Sequence, residues 1–144
     1  PNLTSIGDIL NITDSNLVNI SFPLLVNCGQ VFINGNLNLS SISLPVLSHY
    51  IGNFDVSNNS LNSLNISSLS SITIGQNSLQ HFNIYGNKLS SYSINTLLHK
   101  FLTVTPLSGK DLYLNGQNPQ APPTGQGIID KVALINAGNT VTTD

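Results

Sequence analysis

The segment Asn16-Leu17-Val18-Asn19-Ile20-Ser21-Phe22-Pro23-Leu24-Leu25 returns 22 residues later as Asn38-Leu39-Ser40-Ser41-Ile42-Ser43-Leu44-Pro45-Val46-Leu47. One more step of the same length reaches Leu61, Leu64, Ile66 and Leu69, which keep the apolar phase while the letters between them drift. A fixed period of this size marks a repeat array, in which each unit buries its apolar side against its neighbours.

Each unit carries two short stretches with a polar or exposed residue between two inward ones, the period expected of half-buried strands. The first series is Leu10-Asn11-Ile12, Val31-Phe32-Ile33, Phe54-Asp55-Val56 and Ile72-Thr73-Ile74. The second is Ile20-Ser21-Phe22, Ile42-Ser43-Leu44, Leu64-Asn65-Ile66 and Phe82-Asn83-Ile84. Two strands per unit, each joining its counterpart in the next, predict a mainly β fold. It is a short right-handed parallel β-solenoid with two parallel sheets, closed at its C-terminal end by an α/β cap. Between the strands stand Gly7, Gly29 and Gly52, where a corner requires freedom, and Asn36, Asn59 and Asn77. A buried Asn at a bend can bond the backbone and stack on the Asn of the next unit.

Pro1-Asn2-Leu3 falls in register with Pro23-Leu24-Leu25, so the chain opens in the middle of a repeat. The expectation is a piece of a longer array whose open end is covered by upstream chain or by identical chains, a homotrimer if the whole is a fibre.

The period changes after Leu61. Leu79-Gln80-His81-Phe82-Asn83-Ile84-Tyr85-Gly86-Asn87-Lys88-Leu89 fits L-x-x-L-x-L-x-x-N-x-L, and shorter forms occur at Phe54 to Leu61 and Ile72 to Leu79. On these residues the chain resembles the leucine-rich repeat family over roughly Leu3 to Leu89. The Gly-x-φ-x-φ corner with strands on both sides is similar to the BspA-like and receptor L-domain variants.

Helical spacing takes over from Ser90. Ile94, Leu97, Leu98, Phe101 and Leu102 share one face, with Ser93 as the cap and His99 and Lys100 in the last turn, so this helix is expected to close the stack. A strand at Asp111 to Leu114, a Pro/Gly loop over 117–127, a helix from about Ile128 to Ala137 and an edge strand at 140–143 follow. The division is therefore 1–89 for the array and 90–144 for the cap, packed as one domain. The stretch from Leu112 onward resembles the closing modules of Bacteroidota surface proteins and phage tail fibres.

Charge narrows the function. Asp, Glu, Lys and Arg together make 7% of the chain, with no Arg or Glu at all and a net charge of −2. Such a surface lacks the basic footprint of a nucleic-acid binder, and no apolar run is long enough for membrane insertion. The lone Cys28 sits between Val26 and Val31 and reads as a buried thiol. His49, His81 and His99 stand apart from one another, without the spacing of a metal site, and no nucleophile elbow or carboxylate pair suggests catalysis. The expectation is no enzyme, no cofactor and no metal. Six glycosylation sequons, at Asn2, Asn11, Asn19, Asn38, Asn58 and Asn65, occur in so Asn- and Ser-rich a chain that they establish no origin.

Surface recognition remains. The second sheet is expected to project Ser63, Asn65, Ser67, His81, Asn83 and Tyr85 outward, small polar groups beside one aromatic; the first exposes Phe32 between Asn11 and Asp55. These eight residues, Phe32 and Asp55 included, are the candidate binding set. The partner expected is a cell-surface glycan or protein, met outside the cell by the distal domain of a surface or tail-fibre protein. A pure spacer is the alternative, and ice binding a weaker one because the outward columns mix Asn, Ser, Pro and Tyr.

Overall fold

The computed structural model describes residues 2–73 and 81–144; the expected places of Pro1, Ile74, Asn77 and Leu79 lie outside them. The described chain is built mainly from parallel strands, with two helices near its C-terminal end. Strands β1 (Ser5–Asn11), β3 (Asn27–Phe32), β5 (His49–Ile51), β6 (Phe54–Asp55), β8 (Ser71–Thr73), β9 (His81–Asn83), β10 (Asp111–Tyr113) and β11 (Thr140–Thr142) form a large sheet. Strands β2 (Asn19–Ser21), β4 (Ser41–Ser43) and β7 (Ser63–Asn65) form a small one.

The 22-residue period becomes register. Ile20 pairs Ile42, and Ile42 pairs Leu64, with Asn19, Ser41 and Ser63 beside them in a second row. In the large sheet β3 is long enough to pair β5 with its first half and β6 with its second, so β5 and β6 are two pieces of one pass, broken at Gly52. In the same way β8 continues β5 and β9 continues β6. Gly29 in β3 faces the bulge in β1, where a Cβ would overlap the Asp8 carbonyl. Leu10, Val31, Phe54 and Phe82 from the large sheet and Ile20, Ile42 and Ile66 from the small-sheet passes belong to one buried cluster, which runs on to Leu134.

Two assignments change: Ile72, expected to follow Phe54 in the first series, pairs Tyr50 instead. The stretch Phe82-Asn83-Ile84, expected beside Leu64 in the second series, lies in the large sheet, where Phe82 pairs Phe54 and Leu112. Alternation of period 2 is the same in either sheet, so the local pattern of this stretch does not distinguish them.

Asparagines stitch the passes together. Asn59 is buried; its Nδ2 donates to the carbonyls of Ile33 (2.6 Å) and Val56 (2.8 Å), and its Oδ1 accepts from the Asn36 amide at 2.7 Å. Asn36 does the same for Ser15 and Ile12, and Asn87 for Leu61, Val56 and Ile84. The next rung is Gln117, which accepts from Leu89 N–H and donates to Ile84 and Leu114. Asp144 then accepts from the amides of Gly116, Gln117 and Ala121.

Helix α1 (Ser91–Phe101) starts one turn earlier in its capping than the expected Ser93. The side chain of Ser90 accepts from the Ser93 amide. Its buried face, Ile94, Leu97, Leu98 and Phe101, enters the core, and Phe101 meets Phe82 edge-on at 4.7 Å. Helix α2 (Gln126–Asn136) rests on α1 through Asp130, bonded to His99 Nδ1 at 3.1 Å, and through Asn95, bonded to Thr124. Among the described residues no helix is long and apolar enough to cross a membrane.

Burial sets an alkaline limit. Cys28 is 2% exposed, and desolvation pushes its thiol from 9.0 up to about 11. Between those values the unfolded chain releases a proton that the folded one keeps, so stability present below pH 9.0 is lost as pH rises toward 11. Two units correspond to about 3 kcal/mol. Buried Tyr50, also pushed up, acts in the same direction above pH 10; Lys110, pushed down by burial, opposes both below pH 10.5. Urea unfolding of wild type and Cys28→Ala at pH 8 and pH 11 should show the variant losing about 2 kcal/mol less across that interval. An equal loss in both would mean that the thiol is solvated in the folded state.

Candidate ligand-binding face

The outward face of the large sheet is a set of cross-strand rows. Asn11, Phe32, Asp55, Asn83, Tyr113 and Thr142 follow one another in register across β1, β3, β6, β9, β10 and β11. The neighbouring row holds His81, Asp111 and Thr140, with Asn53 and Gln30 reached through side-chain bonds. These residues share a side because alternate strand residues point the same way and the parallel register is in step. Phe32, Asp55, His81, Asn83 and Tyr85 are thus on one face.

Ser63, Asn65 and Ser67 are not. They lie on the small sheet and just beyond it, beside α1, so the six residues expected on one sheet are divided between two surfaces. Asn65 is occupied locally: its Oδ1 accepts from Ser67 N–H at 3.1 Å. Asp55 holds Ser57 N–H at 2.9 Å and Asn83 holds Tyr85 N–H at 3.0 Å by the same i to i+2 bond, a turn that ends each strand. Asp55 also receives Asn34 Nδ2 at 3.3 Å. Its carboxylate therefore serves the backbone and a neighbour.

Part of the face is a shallow basin of about 390 Å³ lined by Asn83, Tyr85, Tyr113, Asn115 and Thr142. Each wall is positioned by its surroundings. Tyr85 is 46% exposed, and its ring lies against Gly116, where a Cβ would sit 2.5 Å from a ring carbon. Only Gly suits that place, because φ at 116 is +72° as well. Tyr113 is steadied by His81, ring centres 5.2 Å apart. His81 in turn lies with Nδ1 3.5 Å from the Asp111 carboxylate and, among the described residues, makes no hydrogen bond through that nitrogen.

Two aromatic faces, two carboxamides and a hydroxyl make a chemically definite basin. The rings offer apolar area, and the Asn83 and Asn115 amides line the basin with donors and acceptors, although Asn83 Oδ1 already accepts from Tyr85 N–H. Among the described residues no three His, Cys, Asp or Glu side chains gather to hold a metal ion. Asp111, Tyr113, Asn115 and Thr142 were outside the candidate set drawn from the sequence. The signal for them was Leu112-x-Leu114-x-x-Gln117, which repeats Phe82-x-Ile84-x-x-Asn87 with Gln for Asn and so places Tyr113 beside Asn83.

No protein-family model matches this chain, and neither a curated protein nor a solved structure matches it.

Proposed function

We propose that the chain is a non-enzymatic recognition module of a cell-surface or tail-fibre protein, built as a short solenoid of leucine-rich-repeat type, that binds a cell-surface glycan through the tyrosine basin. The repeat reading is supported by parallel register at 22-residue spacing and by the amide ladder through Asn36, Asn59, Asn87 and Gln117. An extracellular place is supported by the charge-poor Asn, Ser and Thr surface, which solvates without long-range fields. The observation that carries the ligand class is the pair Tyr85 and Tyr113 flanking Asn83 and Asn115. A pyranose ring presents C–H groups to aromatic faces and hydroxyls to amides, and a basin without charge suits a neutral or weakly charged sugar.

Labelled chain applied to an array of glycans is the test. Tyr85→Ala and Tyr113→Ala should each weaken the strongest sugar by about tenfold, the effect of losing one stacked ring worth about 1.4 kcal/mol. A double variant that binds the array as well as wild type would remove the basin from the account. Retained binding to target cells with no sugar bound would redirect the proposal to a protein partner. The spacer reading, favoured by the continuous ladder, expects cell binding unchanged in both variants.

A further inference from the structure

The small sheet ends at β7, and among the described residues no strand lies on its outer edge. Where another strand would follow, the chain passes Leu89 and enters α1. Between the edge and the helix is a groove of about 450 Å³. Leu64, Ile66, Leu89 and Leu97 give it an apolar floor, and the 81% exposed Tyr92 and Lys100 stand at its rim. Leu64 is only half-buried, whereas Ile42, one place back in the same row, is fully buried. The row is one strand short.

We propose that this groove takes an extended acidic peptide segment, added to β7 as a fourth strand. Three features select that occupant. A terminal strand leaves alternate backbone N–H and C=O groups free along its edge, and only another backbone answers them at strand spacing. An acyl chain would leave them unanswered, and the hydroxyls of a sugar do not repeat at that spacing. Length agrees: β7 has three residues, about 10 Å of extended chain, so a short segment suffices.

The third feature is charge. Besides the Tyr92 phenol, the ionisable groups that line the groove are His99 and Lys100, and no carboxylate is among them. Asp130, the acid bonded to His99, is buried and does not line the groove; it is held by His99 Nδ1 and by Gln126 Nε2 at 2.8 Å. Lys100 has no ion-pair partner among the described residues. A carboxylate on the added segment would meet it without competition from the protein itself. In the row of Leu64 the segment would place an aliphatic side chain, and beside Ser63 and Asn65 polar ones, continuing the pattern in which Asn19 bonds Ser41 at 2.6 Å. This site is separate from the tyrosine basin, and the glycan reading stands or falls without it.

The probe is a blocked five-residue peptide alternating leucine and glutamate, carrying a fluorophore and titrated by anisotropy against the whole chain. Its companions are the lysine-for-glutamate peptide and a version N-methylated along one backbone edge. Saturable binding of the glutamate peptide is expected, about tenfold tighter than the lysine peptide, the effect of one charge-assisted hydrogen bond. N-methylation should abolish it, and Lys100→Glu should reverse the charge preference. Amide shifts should centre on Leu64 and spare Tyr85. No saturation by about 1 mM, equal binding of the methylated peptide, or an unchanged preference in Lys100→Glu would each overturn the proposal. The methylated probe leaves the protein untouched, so that arm is independent of whether the variant folds.

Discussion

Replacing Asn59 with alanine is expected to lower the unfolding free energy by roughly 3–5 kcal/mol, a large part of the 5–15 typical of a domain. The side chain is 5% exposed and makes three bonds to main chain in two different passes. Removing it leaves the Asn36 N–H and the Ile33 carbonyl without this partner, each in a place water does not reach easily, at about 1–3 kcal/mol apiece. The Val56 carbonyl loses less, because Asn87 also donates to it. Asp is no substitute: it could accept from Asn36 N–H but has no N–H pair for two carbonyls, and it would carry charge inward. Urea denaturation followed by circular dichroism measures the effect, with exposed Asn62→Ala as a control expected within about 0.5 kcal/mol of wild type. A loss below about 1 kcal/mol in Asn59→Ala would mean that the ladder does not hold the passes together.

That ladder also explains which parts of the architecture could be read without coordinates. Where units keep their length, the sequence sufficed: Ile20, Ile42 and Leu64 line up because nothing is inserted between them, and the small sheet follows. Cys28 and the apolar stripe of α1 were legible for a simpler reason, since burial there follows from neighbours of one kind. The pass after Ser71 was not, because two stretches fit the same motif. Ile72-x-Ile74-x-x-Asn77 and Phe82-x-Ile84-x-x-Asn87 are equivalent as letters, and period-2 alternation looks alike in either sheet. What distinguishes Asn87 is a long-range fact, its bonds to Leu61 and Val56 in the pass before.

The candidate site was half legible for the same cause. Phe32, Asp55, Asn83 and Tyr85 were picked out as outward residues, and they are on one face. Tyr113 and Asn115 escaped because the final rung is a glutamine, one methylene longer than its predecessors, and a search for Asn passes over it. Ser63 and Asn65 were grouped with His81 only through the misplaced Phe82 strand. A strand assigned to the wrong sheet therefore rearranges a predicted binding surface more than it disturbs a predicted core.

Phe82→Ala should be the costliest single change in the core, about 3–5 kcal/mol, because the position links the sheet to the helix that closes it. Tyr50, Phe54, Phe82 and Phe101 form a continuous aromatic file, with ring centres 5.4, 5.1 and 4.7 Å apart. Phe82 is 1% exposed, and Phe101 fully buried, so truncation at 82 leaves α1 resting on a void. Hydrogen exchange should then accelerate in α1 before it does in β2 and β4, which lie in the other sheet and share no row with Phe82. The milder pair Phe82→Leu and Phe101→Leu permits a double-mutant cycle that keeps the protein folded. Rings in edge contact at 4.7 Å should couple by about 0.5–1.5 kcal/mol. Had Phe82 joined Leu64 in the small sheet, as its local pattern suggested, no direct ring contact with Phe101 would be required and the two losses would add. Additivity within about 0.3 kcal/mol would therefore return Phe82 to the second sheet and undo the register on which the tyrosine basin depends.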